Sequence, residues 1–135
     1  PYTEENATGW INYIKKNNFN LSFVIANEIE LIGGIGALPQ SDVHCFSADV
    51  GFWIGEPFWN QGIISKCLTA FCNYLFSKYN FNRLTANVFE GNDASKRVLE
   101  KAGFILEGTL RKNVCKENNF FDHYIYGLLK EDFKI

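Results

Sequence analysis

The chain has 135 residues and a net charge of −2, with 47% hydrophobic and 21% charged residues. This length and composition predict one globular domain and exclude an intrinsically disordered chain. Because the sequence shows no basic block, no membrane-length apolar run and no signal peptide, we expect neither nucleic acid nor a membrane as partner, and we expect a cytoplasmic location.

A helix is predicted at the start of the chain. Thr3, followed by two glutamates, suits the N-cap, and the helix is expected to end near Lys15–Lys16. Trp10 lies on the apolar face of this helix. It either packs in the core or forms the floor of a substrate groove. The chain begins at Pro1 and contains no Met. We therefore expect it to be part of a longer protein.

An antiparallel hairpin is predicted next. Residues 21–25 alternate in polarity as in a half-exposed strand, and Ile29–Leu38 forms the second strand after a short turn. The glycines at 33, 34 and 36 indicate a bulge or a close approach of another backbone. A nucleotide-binding glycine loop is excluded because no helix follows. The next loop passes through His44, which we expect to be exposed.

The stretch from Ala48 to Phe76 reads as a strand, a polar turn and a long helix. Ala48–Ile54 is rich in aromatic and β-branched residues, and the turn Trp59–Gly62 leads directly into an amphipathic helix. A helix that begins at a glycine turn just past a strand presents unpaired N–H groups and the positive end of its dipole. We therefore expect this turn to bind a phosphate group of a ligand.

Four further elements complete the chain. Arg83–Phe89 is a strand that should lie parallel to Ala48–Ile54, because a helix connects the two. Asn92 caps a helix that runs to Ala102, and two strands follow, Phe104 to about Val114 and Phe120–Leu129. The element order α-β-β-β-α-β-α-β-β predicts an α/β (α+β) fold with a mixed sheet and helices on both faces.

The cysteines are expected to be reduced, because none forms a CxxC pair and two lie five residues apart within one helical pattern. A zinc site that combines His44 and Cys45 with Cys115 or His123 is poorly spaced, so we expect no metal.

Two motifs together resemble the GNAT N-acetyltransferases. One is the strand, W-N-Q-G turn and long helix. The other is N-D-A-S-K-R-V-L-E-K-A-G-F-I-L-E-G, from Asn92 to Gly108, which is more specific and is most similar to the branch that acetylates N-termini of ribosomal proteins. The resemblance covers essentially the whole chain. It implies one N-acetyltransferase domain over 1–135, with a mostly antiparallel sheet and a central splayed parallel pair. The family's first strand and helix would precede Pro1.

The resemblance also implies an acetyl-CoA site. In the family, main-chain amides of the turn bind the pyrophosphate, which here implicates Asn60, Gln61, Gly62, Ile63, Ile64 and Ser65. Pantetheine fills the gap between the splayed strands, along the main chain of Phe52, Trp53 and Ile54, and bonds to Asn92. The alternatives are an ordinary helix-start glycine at Gly62 and a core aromatic at Trp53. Ile64 replaces the usual Gly or Ala, and it either crowds the phosphate or points into the core.

Acetyl transfer needs a neutral amine, a donor for the oxyanion and a proton for the departing thiolate. The family places a Ser near the thiol, which implicates Ser95. The alternative is a purely structural role for Ser95, at the third position of the helix that Asn92 caps. Asp49 is the best candidate base, acting through water, and a structural hydrogen bond is the alternative. An α-amine, with a pKa of about 8, needs only a mild base. Tyr124 and Tyr126 are other donors, with packing as the plainer role. Leu110–Val114 lacks the acid that some relatives use.

These observations predict an acetyl-CoA-dependent N-acetyltransferase that acts on a primary amine. The acceptor is either a protein N-terminal α-amine or a small-molecule amine. The alternative is a non-catalytic domain that binds and senses acyl-CoA. A homodimer is left open.

Overall fold

The structure is a computed structural model that describes residues 3–5, 7–9, 12 and 21–134. From residue 21 onward the predicted order of elements is confirmed. The elements are β1 Ser22–Ala26, β2 Leu31–Pro39, β3 Ser47–Ile54, α1 Ile63–Lys78, β4 Arg83–Phe89, α2 Asp93–Lys101, β5 Ile105–Lys116 and β6 Asn119–Leu129. Short 3₁₀ helices lie at Asp42–His44, Glu56–Phe58 and Lys130–Asp132.

The six described strands form one sheet in the order β1-β2-β3-β4-β6-β5. All neighbours are antiparallel except β3 and β4, which are parallel as the helical connection between them predicts. The predicted fold class, a mixed and mostly antiparallel sheet with one central parallel pair, is confirmed. That helices cover both faces of the sheet stays a prediction, because α1 and α2 lie on the same face. None of the described helices combines the length and apolarity needed to cross a bilayer.

One face of the sheet, the helix-covered face, packs against both α1 and α2. The ring of Phe23 on β1 meets Phe71 of α1 edge to face at 5.8 Å. The hydroxyl of Tyr126 on β6 donates to Glu100 of α2 at 3.3 Å. The buried side chains between these layers form the core: Val50, Leu68, Cys72, Leu75, Leu84, Ala86, Val88, Leu99 and Leu128 among them. Burial of this apolar area is the main force that holds the helices on the sheet.

The other face, the distal face, carries the residues that alternate with these core positions. It includes Asp49 and Gly51 of β3, Thr85 and Asn87 of β4, and His123 of β6, as strand alternation and the pairing of β4 with β6 require. The predicted first helix is present in part, because Ala7 N donates to Thr3 O at 3.1 Å. Trp10 and the predicted helix end at Lys15–Lys16 lie outside the described residues.

The glycines of β2 allow the close approach that the sequence predicted. A Cβ on Gly34 would lie 2.5 Å from Nε1 of Trp53, and a Cβ on Gly33 would collide with the Trp53 carbonyl oxygen. Trp53 is therefore not a core aromatic. It is 58% exposed, because alternation turns it away from the core-facing Phe52 and Ile54.

Candidate active site

The predicted gap between the central parallel strands is present. β3 and β4 pair only at Ser47↔Arg83, Ala48↔Leu84 and Asp49↔Thr85, although both strands continue to Ile54 and Phe89. We call the space between residues 50–54 of β3 and 86–89 of β4 the slot. Along the slot β3 still pairs with β2 on its other side. Every second residue of 50–54 therefore presents its main-chain N–H and C=O to the slot.

The turn after β3 places the start of α1 beside the slot. Asn60 and Gly62 both adopt left-handed conformations, with φ of 61° and 74°. Gly62 is the N-cap of α1, and no described side chain accepts a hydrogen bond from the N–H groups of the first turn of this helix, which contains no acidic residue. The N–H groups of Ile63, Ile64 and Ser65 therefore face outward as an anion site. Glycine suits the left-handed position of Gly62, and asparagine or aspartate does so at some cost.

Two side chains brace this turn. Trp59 Nε1 donates to the carbonyl oxygen of Ile54 at 2.8 Å, which ties the end of β3 to the turn. Ile64 packs partly against the core. This agrees with the core-facing alternative for Ile64, so its branched side chain does not rule out a phosphate at the helix start.

The start of α2 lies at the same edge of the sheet. Both helices follow the carboxyl ends of parallel strands, and such ends meet at one edge. Asn92 is the N-cap of α2, as predicted, and its Oδ1 accepts from Ser95 N at 3.2 Å. Within the described part of the chain, the Ser95 hydroxyl has no hydrogen-bond partner, which leaves it able to donate a proton to a ligand.

Asp49 lies where the pairing of β3 and β4 ends. Gln40 donates from Nε2 to Asp49 Oδ1 at 3.1 Å, and the Thr85 hydroxyl donates to the same oxygen. Burial raises the pKa of the Asp49 carboxyl, and the Gln40 hydrogen bond and the charge of Arg83 oppose that rise. A carboxylate with a raised pKa is a better base than an ordinary aspartate.

Sequence reasoning missed both partners of Asp49. Thr85 lies 36 residues away from it and Gln40 nine residues away. The register of the parallel pair is the only signal that could have found Thr85, because it places Thr85 opposite Asp49.

An ion pair supports β4 next to this carboxylate. Arg83 donates from Nη1 to Glu107 Oε2 at 2.9 Å and from Nη2 to Oε1 at 2.5 Å. The hydrogen bonds from Arg83 lower the pKa of Glu107. The pair lies against Gly127, where a Cβ would collide with Glu107 Oε1. Gly127 therefore leaves the space in which the two side chains meet.

The alternative proton donors lie on the helix-covered face. Tyr126 is 2% exposed and bonded to Glu100, so it packs in the core, and burial raises its pKa. Lys96 lies 3.7 Å above the ring of Tyr124. These contacts fit the packing role for both tyrosines.

The cysteines are all free, and all four are in the described part of the chain. Burial raises the pKa of Cys72 to about 12, so it stays a thiol. No group of three metal-ligating side chains occurs among residues that the structure describes. His44 is exposed, as predicted.

Comparisons with known proteins give the same family as the sequence motifs. The family described as "Acetyltransferase (GNAT) domain" matches residues 1–105. The chain is 30% identical over 132 residues to the uncharacterized N-acetyltransferase YnaD of Bacillus subtilis (strain 168), covering 97% of the chain and 76% of YnaD.

It is 31% identical over 104 residues to the ribosomal-protein-serine acetyltransferase of Escherichia coli (strain K12), covering 77% of the chain and 58% of that enzyme. Among solved structures, Mycobacterium smegmatis RimJ in complex with CoA-disulfide matches with a TM-score of 0.78 and 22% identity. That match covers 94% of the chain and 61% of RimJ, and it shows a shared fold.

Proposed function

The chain belongs to the GNAT acetyltransferase family and is an N-acetyltransferase, and on that premise we propose that acetyl-CoA is its donor and that a protein N-terminal α-amine is its acceptor. A small-molecule amine is the other acceptor class that the site admits. The GNAT family uses acetyl-CoA, and the related RimJ structure contains a CoA-disulfide. The free cysteines fit a reducing compartment, which supports a cytoplasmic location. A homodimer stays a proposal.

The observation that carries this proposal is the end of β3–β4 pairing at Asp49↔Thr85. Pantetheine is a chain of amides, and the main-chain groups of Phe52, Trp53 and Ile54 that bond to neither β2 nor Trp59 offer it the bonds of a missing strand. The pyrophosphate then binds main-chain N–H groups of the loop before α1 and of the first turn of α1. These residues are Asn60, Gln61, Gly62, Ile63, Ile64 and Ser65. Asn92, at the same edge of the sheet, contacts the pantetheine.

The reaction uses two side chains of the site. Asp49 takes a proton from the acceptor ammonium through a water molecule, and the neutral nitrogen then attacks the thioester carbonyl carbon. The carbon–sulfur bond breaks, the Ser95 hydroxyl gives a proton to the departing thiolate, and the second proton that the acetylated nitrogen loses restores the Ser95 hydroxyl. The products are an acetylated amine and CoA. The raised pKa of Asp49 and the unpartnered hydroxyl of Ser95 support these two roles.

The test is a calorimetric titration with acetyl-CoA, together with a thiol-release assay over α-amines and alkyl amines. We expect acetyl-CoA to bind and thiol to be released with at least one acceptor. Binding without release for every acceptor would favour the acyl-CoA sensor instead. No binding would contradict both.

Gly62→Asp should weaken acetyl-CoA binding at least about tenfold relative to Gly62→Asn, because a negative charge then faces the pyrophosphate. The two side chains have the same shape, and both residues tolerate the left-handed backbone of Gly62. The comparison therefore isolates charge from strain. Equal affinities of the two variants would mean that the pyrophosphate lies elsewhere.

A further inference from the structure

Three side chains outside the site described above form a continuous hydrogen-bonded chain on the distal face. Asn113 Nδ2 lies 3.1 Å from His123 Nδ1, and His123 Nε2 lies 2.8 Å from Asn87 Oδ1. One neutral tautomer of His123 satisfies both contacts, with Nδ1 accepting and Nε2–H donating. The Asn87 carbonyl oxygen is thereby occupied. Among the described residues, its amide nitrogen Nδ2 has no partner, so Asn87 is oriented to donate to a ligand.

A β-bulge creates this arrangement. The residues of β5 at 111–113 lie opposite the single residue Asp122 of β6, and Lys112 has a left-handed φ of 55°. Lys112 N donates to Asp122 Oδ1 at 2.9 Å, and Asp122 N donates to Glu90 Oε2 at 2.9 Å. These two bonds fix the bulge in the conformation that aims Asn113 at His123. The bulge therefore serves to position a side chain.

The imidazole is also held by packing. The ring of Phe89 meets the His123 ring edge to face, with centroids 5.5 Å apart. With a hydrogen bond at each nitrogen and an aromatic ring against its side, His123 is restrained in position and tautomer. Its hydrogen bond to Asn87 Oδ1 therefore also fixes the orientation of the Asn87 side chain.

Asn87 stands at the rim of the slot. It is the first distal-face residue of β4 after Thr85, where pairing with β3 ends, and it lies about 6.6 Å further along the strand. Across the slot, the first distal-face residue of β3 after Asp49 is Gly51. A Cβ built on Gly51 would meet no described atom within 4 Å. Gly51 thus leaves room beside Asn87 for an acceptor.

We propose that Asn87 determines acceptor specificity: its fixed amide N–H donates to the carbonyl oxygen of an acceptor whose amine is α to a carbonyl group. This inference rests on the proposed function, because it requires acetyl transfer in the slot. An N–H donor repels a protonated amine, and on a neutral amine it would occupy the lone pair that must attack. A carbonyl oxygen roughly 3 Å from the amine nitrogen in the same aminoacyl group is its natural partner. His123 and Asn113 are positioning residues that hold Asn87.

The test compares two acceptors, the dipeptide amide Ala-Ala-NH₂ and isopropylamine, which lacks the carbonyl group. The measured quantity is the ratio of their kcat/KM values, which is then compared between enzymes. Differences in basicity between the two amines cancel in that comparison. We expect the wild type to favour the dipeptide amide. We expect Asn87→Leu to lower that preference about fivefold or more, the loss of one hydrogen bond, with the KM for acetyl-CoA unchanged.

Three further variants separate positioning from folding. His123→Leu should lower the preference in the same direction, and His123→Gln should restore part of it, because a glutamine amide also donates to Asn87 Oδ1. Asn119→Leu, an exposed asparagine at the β5–β6 hairpin, is the matched control and should leave the ratio unchanged. Circular dichroism checks that each variant folds.

An equal loss of rate for both acceptors in Asn87→Leu, or no change for either, would overturn the inference and leave acetyl transfer standing. A wild type that shows no preference for the dipeptide amide would overturn it as well. A wild type that binds acetyl-CoA and transfers to no amine would instead contradict the proposed function, and the inference with it.

Discussion

At the scale of single residues, the site depends on side chains whose neighbours give them unusual properties. Asp49 is a half-buried carboxylate that accepts hydrogen bonds from Gln40 and from Thr85. Burial raises its pKa, whereas the exposed Glu107 has its pKa lowered by Arg83. The two carboxylates therefore have opposite effects on stability as the pH changes. Only Asp49 is placed at the mouth of the slot.

Asp49→Asn should leave the stability at pH 7 unchanged or higher and should lower the activity. In the folded protein the pKa of Asp49 lies above its unfolded value of 3.8. The folded state therefore holds this proton more tightly, and stability falls as the pH rises from about 4 through the folded pKa. At pH 7 the variant avoids the cost of a buried charge, so we expect its Tm to equal or exceed that of the wild type, with the difference vanishing near pH 4.

Its kcat/KM for acetyl transfer should fall by about ten- to a hundredfold, because the base is lost. Thermal unfolding across that pH range and steady-state rates measure the two effects. A variant that is less stable at pH 7 and fully active would show that Asp49 is a structural residue only.

At the scale of elements, two glycines of adjacent strands differ in what they allow. Gly33 of β2 lies against the main chain of Trp53, and Gly51 of β3 faces open space among the described atoms. The first permits β2 and β3 to approach closely. The second keeps one side of the slot clear.

Gly33→Ala should destabilise the protein by about 1–3 kcal/mol, because its Cβ collides with the Trp53 carbonyl oxygen and that backbone cannot yield without breaking strand pairing. Gly51→Ala is the matched control and should change the free energy of unfolding by less than about 0.5 kcal/mol. Urea denaturation measures both. Equal effects of the two substitutions would show that the close approach of the two backbones at Gly33 is misassigned.

The elements themselves were largely predictable. The cap at Asn92, the glycine turn into α1 and the alternation of Arg83–Phe89 are local patterns, and the structure confirms each of them. Strand limits shifted by one or two residues, because pairing partners rather than propensity decide where a strand ends. The β5–β6 turn falls on Glu117 and Asn118, both left-handed, between the two strands that the sequence predicts.

The distal-face contacts were not predictable from the sequence. Asn87, Asn113 and His123 come from three strands, and the bulge at residues 111–113 brings them together. The core alternative for Trp53 is wrong for a related reason. The register of β2 and β3 turns its side chain away from the core and places it over a glycine. Long-range register determines such sites, and single-sequence patterns carry little of it.

At the scale of the whole molecule, the chain directs three features to one edge of the sheet. These are the slot between β3 and β4, the uncapped start of α1 and the Asn92-capped start of α2. The shared edge follows from the parallel pair, because each strand of the pair leads directly into a helix. A long ligand with a phosphate end and an amide-rich arm fits these features together.

The measurement that tests this account most directly is hydrogen exchange of the main-chain amides, with and without saturating acetyl-CoA. The account predicts added protection within residues 50–54 of β3 and residues 62–65 at the start of α1. The amides of β3 that already pair with β2 should change least. Protection confined to other parts of the chain, or none at a concentration where calorimetry detects binding, would contradict a donor site in the slot.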